Sequence, residues 1–107
     1  RNLEAAKHLR HVAVEAMIDL AAHFVARLRL GIPNESAQLF MALADAGWLP
    51  LEHAERYTQM TRFRNLIVHL YVDVDLQQLY SIAQNDLDDF RTFIGDVRRI
   101  VKRASEV

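Results

Sequence analysis

The sequence predicts an all-α protein, a mostly antiparallel bundle of four to five helices, and three observations carry that expectation. Apolar residues recur at three- and four-residue steps over most of the chain, which is the helical period. Only three Gly and two Pro occur in 107 residues, leaving little room for loops. Gly31, Pro33, Gly47 and Pro50 fall between the periodic segments, where helices stop and start.

The first helix is expected from Leu3 to Leu30, with Leu3, Leu9, Val12, Ala13, Ala16, Met17, Leu20, Phe24 and Leu28 turned inward. Gly31 is placed just past its end, and Pro33 cannot continue it. Asn34 or Ser36 then offers an N-cap for a short helix bearing Leu39, Phe40 and Leu43, which Gly47 ends, with Trp48 and Leu49 plugging the core. Pro50 suits the first turn of a helix from Leu51 to about Tyr71, with Met60, Phe63, Leu66, Ile67 and Leu70 inward. Asp73 or Asp75 caps the last helix, which carries Leu76, Leu79, Ile82, Leu87, Phe90, Ile94, Val97 and Ile100 and tolerates Gly95 at about 1 kcal/mol.

The length fits one domain over residues 1–107, able to bury roughly two-thirds of the surface of its unfolded chain. The sequence begins at Arg1 rather than Met, so an N-terminal segment is expected to precede it. With no cysteine, a disulfide framework and a Cys-based zinc site are both excluded. No apolar run approaches the ~20 residues of a membrane span and no signal peptide opens the sequence, so a cytoplasmic location without membrane contact is expected. The net charge of −1 carries no global sign of nucleic-acid binding, so any RNA contact must be local.

The informative stretch is Arg62-Phe63-Arg64-Asn65-Leu66-Ile67-Val68-His69-Leu70-Tyr71. On a helical wheel with Arg64 at zero, Phe63, Leu66, Ile67 and Leu70 fall in an arc of about 200–300°, while Val68, Asn65 and His69 lie at about 40, 100 and 140°. Asn65 and His69 are one turn apart, and Arg64 and Tyr71 two turns apart on a shared edge. Val68 in the middle of this polar face implies a covering partner; a two-fold pairing there would make a homodimer with an Arg64 and a His69 from each copy in a shared cleft. An Arg beside a His suits RNA cleavage. A neutral imidazole, with an ordinary pKa near 6.5, takes the proton of a ribose 2′-OH, and the guanidinium fork stabilises charge on the phosphate. No metal or cofactor is needed, and Asn65 is placed to bond substrate or fix the imidazole tautomer.

The string Arg64-x4-His69-x-Tyr71, with a polar residue after the Arg, resembles the RX4HXY motif of HEPN domains, in particular their HepT toxin branch. The likeness extends over nearly the whole chain: Glu15-Ala16-Met17-Ile18-Asp19-Leu20-Ala21-Ala22-His23, the Leu30-Gly31-Ile32-Pro33 turn, Leu39 to Gly47, Met60 to His69, and Leu87-Asp88-Asp89-Phe90. The resemblance implies a metal-independent ribonuclease that cuts mRNA or tRNA with Arg64 and His69 across a homodimer interface. It also implies a partner encoded beside it, an MntA-type minimal nucleotidyltransferase antitoxin that transfers AMP to Tyr71.

Plainer readings stand beside these. An Arg and a His five residues apart more often form a surface pair, and Tyr71 alone reads as an aromatic at the bundle edge. Glu15, Asp19 and His23, one turn apart on the first helix, either orient Arg64 or form an exposed ladder. His8 and His11 lack a third ligand nearby, so no metal site is expected. His53, beside Glu52 and Glu55, reads as solvated, and Asp86, Asp88 and Asp89 as surface charge. Arg91, Arg98, Arg99, Lys102 and Arg103 form either a solvated helix face or an RNA-backbone track. The rival to a nuclease is a non-catalytic helical module that binds RNA or presents itself to a nucleotidyltransferase.

Overall fold

The computed structural model describes residues 2–63 and 76–106. Four helices lie within them: α1 (Asn2–Arg27), α2 (Gln38–Asp45), α3 (Leu51–Arg62) and α4 (Leu76–Ser105). The described residues form no strand, and they include no helix long and apolar enough to cross a membrane.

α1 buries Val14, Met17, Ile18, Ala21 and Val25, whose spacing keeps them on one face. The expectation that Leu9, Val12 and Leu20 also turn inward fails, since they are 68, 49 and 40% exposed. They sit across the helix from the core set, so α1 is apolar on two sides and only one is covered by the described residues.

The end of α1 corrects the sequence reading as well. The helix closes when the Arg29 N–H bonds to the Ala26 carbonyl (3.2 Å) and the Leu30 N–H to the Val25 carbonyl (2.9 Å). The left-handed residue that this closure requires is Arg29 (φ 57), two positions before Gly31. A side chain there costs about 1–2 kcal/mol, offset because Leu28 and Leu30 on either side pack against the core. Gly31 is a second positive-φ residue, at φ 112, ahead of Pro33. At the end of α2 the expectation holds: Gly47 (φ 82) is the left-handed residue, and the Gly47 and Trp48 N–H groups bond back to Ala44 and Leu43.

Neither Asn34 nor Ser36 caps α2 with its side chain; the position before the helix is Ala37. A turn does the work instead, with Gln38 and Leu39 N–H bonding to the Glu35 and Ser36 carbonyls and Gln38 Oε1 accepting from the Asn34 N–H at 3.0 Å. Pro50, extended at ψ 140, stands immediately before α3, and its carbonyl accepts from Ala54 at 3.0 Å. Met60 is buried as expected, but Phe63 is 53% exposed. Phe63 is the C-cap, at φ −110 and ψ 30, and off helical geometry its side chain no longer follows the inward face.

Phe40 on α2, Tyr57 on α3 and Phe93 on α4 form the centre of the core. Their ring centroids are 5.6 Å apart for Phe40 and Tyr57, 5.1 Å for Tyr57 and Phe93, and 6.2 Å for Phe40 and Phe93, tilted and edge-on as ring quadrupoles prefer. α4 passes through Gly95 unbroken. Leu87 and Ile94, expected inward, are 42 and 52% exposed, and with Val101 they form an outer stripe at seven-residue intervals.

Candidate functional site

Arg64, Asn65, His69 and Tyr71 lie outside the described residues, as do Val68 and the capping candidates Asp73 and Asp75. The frame that delivers the motif is described up to the residue before it. α3 ends as the Phe63 N–H bonds to the Gln59 carbonyl at 2.9 Å. The Phe63 carbonyl then accepts from Arg10 Nη1 on α1, also at 2.9 Å. The same guanidinium donates through Nε to Asp86 on α4 at 2.6 Å. Both side chains are well covered, at 7 and 14% exposure, so the pair sits where a charge needs a partner.

Of the residues proposed to orient Arg64, Glu15 is half-buried and Asp19 exposed on α1. Asp86 is the larger departure from the sequence reading, which took it as surface charge. Asp89 departs too, since it pairs with Arg56 at 3.1 Å and is 21% exposed. Burial lifts the Asp89 carboxyl above its ordinary range; Arg56 opposes that rise, and Asp86 and Asp88 add to it.

His53 is not a solvated side chain. Its Nδ1 lies 2.9 Å from an oxygen of Asp96, a carboxylate only 1% exposed. The Tyr57 hydroxyl donates to the same carboxylate at 2.5 Å, and Arg99 pairs with it from the next turn of α4. Burial first, then the bond to Asp96, pushes the Tyr57 hydroxyl well above the ordinary tyrosine range, so it stays a donor. This cluster ties α3 to α4 beneath the aromatic core. Its members are a turn apart within each helix, but their meeting joins positions 43 residues apart, and no local spacing reveals that.

The basic stretch of α4 divides into engaged and solvated groups. Arg99 holds Asp96, while Arg103 donates to the Gly47 carbonyl at 2.8 Å and lies 4.0 Å over the Trp48 ring. Arg98 and Lys102 are exposed, and Arg91 is 69% exposed, 3.9 Å from Asp88. Among the described residues no three His, Asp or Glu side chains converge to hold a metal ion.

The chain is 32% identical over 84 residues to a curated mRNA nuclease HepT of Shewanella oneidensis, an alignment covering 78% of this chain. The chain spans 63% of that relative's length. No solved structure matches it. The family model for ribonuclease HepT-like proteins matches residues 1–97, a span that includes Arg64, His69 and Tyr71. The first three helices, the motif and most of α4 fall inside that span, and the chain belongs to the ribonuclease HepT-like family.

Proposed function

We propose that this chain is the toxin of a toxin–antitoxin pair, a metal-independent ribonuclease acting in the cytoplasm as a homodimer. The observation that carries the reading is the family match running unbroken from α1 through the motif and into α4. A relative described as an mRNA nuclease supports mRNA as the target.

In the proposed reaction His69 takes the proton of a ribose 2′-OH, whose oxygen attacks the neighbouring phosphorus while the bond to the 5′-oxygen breaks. That oxygen leaves with a proton from the partner copy's imidazole, and Arg64 holds the phosphate as charge builds on it. Asn65 orients the imidazole or the substrate, and Glu15 and Asp19 support Arg64 from α1. The uncovered apolar side of α1 (Leu9, Val12, Leu20) and the stripe Leu87, Ile94 and Val101 on α4 support burial against a second copy. Control is proposed to be covalent. The Tyr71 oxygen attacks the α-phosphorus of ATP on an MntA-type nucleotidyltransferase, pyrophosphate leaves, and the attached AMP places a charged phosphodiester and a nucleoside against the cleft.

Purified protein incubated with a defined RNA in EDTA tests the chemistry. The wild type is expected to cut, Arg64→Ala and His69→Ala to fail while remaining folded, and the wild-type rate to rise as one imidazole loses its proton and then flatten or fall as the partner copy's imidazole, the acid, loses its own. Loss of cutting on chelation, restored by a divalent metal, refutes the mechanism. Intact mass after co-expression with the neighbouring nucleotidyltransferase tests control, and full neutralisation without an adduct on Tyr71 overturns it.

A further inference from the structure

We propose that Arg10 is a positioning residue for the nuclease motif, clamping the chain where it leaves α3; the inference rests on the reading of Arg64 and His69 as the catalytic pair. A guanidinium that is 7% exposed requires a countercharge, and Asp86 supplies it through Nε at 2.6 Å. Charge neutralisation alone would leave the remaining donors idle. Instead Nη1 reaches a neutral backbone oxygen on a third element, the Phe63 carbonyl at 2.9 Å. That carbonyl belongs to the rigid peptide unit that continues into residue 64, so a bond on its oxygen restrains the direction in which the chain departs.

Both ends of the clamp stand on core-packed helices. Arg10 lies on the same face of α1 as Val14, Met17 and Ala21, and Asp86 on the face of α4 that carries Phe93 and Ile100. The geometry also explains why an arginine stands here. Its planar fork offers donors in fixed, divergent directions, so one head group reaches two acceptors on two elements, whereas an ammonium is a single point charge. With the clamp removed, the described residues restrain the exit from α3 through the Phe63 N–H bond to Gln59, and catalysis is expected to lose the geometry it needs. Displacements of about 1 Å cost on the order of a hundredfold in rate.

The test uses the purified full chain, steady-state cleavage of a defined RNA, and thermal melting followed by circular dichroism. Arg10→Lys keeps the charge near Asp86 and loses the two-acceptor reach. It is expected to remain folded at the assay temperature, lower kcat about 10- to 100-fold, and leave KM and the pH profile unchanged. Asp86→Glu, which keeps the countercharge but shifts the acceptor of Nε by one methylene, is expected to move kcat in the same direction and serves if Arg10→Lys melts too low. A kcat that falls only in proportion to the unfolded fraction would mean a merely structural role and overturns the proposal. Wild-type kcat in folded Arg10→Lys, beside an inactive Arg64→Ala, overturns this inference alone. Full activity in Arg64→Ala overturns the nuclease reading and this inference with it.

Discussion

Asp96→Asn is the substitution that weighs the buried cluster most directly. The side chain keeps its size and loses its charge at a site 1% exposed to solvent. Hydrogen bonds to a charged group contribute about 1.5–3 kcal/mol and neutral ones about 0.5–1.5, so each buried bond converted costs about 1 kcal/mol. Two such bonds count fully, from Tyr57 at 2.5 Å and His53 at 2.9 Å. Arg99 is 64% exposed and turns to water with little effect. The expected loss is about 2–3 kcal/mol, out of roughly 5–15 for a domain of this size. At about 4 °C per kcal/mol, the melting temperature should fall by about 8–12 °C. Asp96→Ala should lose about 4–5 kcal/mol, because the Tyr57 hydroxyl is then left without an acceptor in the core. Urea denaturation at pH 7 with an unchanged m-value measures both. Stability within about 0.5 kcal/mol of wild type for Asp96→Asn, or an alanine variant no worse than the asparagine one, refutes the reasoning.

Three further outcomes follow from the same core. Phe40→Ala, at a residue 0% exposed between two rings, should cost about 3–5 kcal/mol by urea titration. The Tyr57 hydroxyl titrates higher in the folded chain than in the unfolded one. Its contribution is therefore complete below about pH 10 and lost as pH rises further, so wild type should lose stability more steeply above pH 10 than Tyr57→Phe. The Asp89 carboxyl, also raised by burial, contributes stability below its unfolded range near pH 4 and loses it as pH rises through the folded value. Asp89→Asn should therefore compare better with wild type at pH 7 than at pH 3.5, read as the difference in melting temperature.

The all-α class, the places of α2 and α4, and the inward turn of Met17, Phe40, Met60 and Ile100 were legible from periodicity, because core-facing positions repeat with the helix. Gly47 was legible for the same local reason, a left-handed C-terminus that glycine adopts without strain. The motif was legible as a string of residue types, and the family match spans it. Tertiary packing decided the rest. Leu9, Val12, Leu20, Leu87 and Ile94 carry the right period but face outward, since hydrophobicity marks a helix side as apolar without saying whether this chain covers it. Arg29 rather than Gly31 closes α1, because burying Leu28 and Leu30 outweighs the cost of a left-handed side chain. Arg10 with Asp86, and His53 with Tyr57 and Asp96, read as ordinary charged and polar residues along the chain. Ion pairs and hydrogen bonds act over a few ångströms in space, and only folding brings positions 76 and 43 residues apart to that distance.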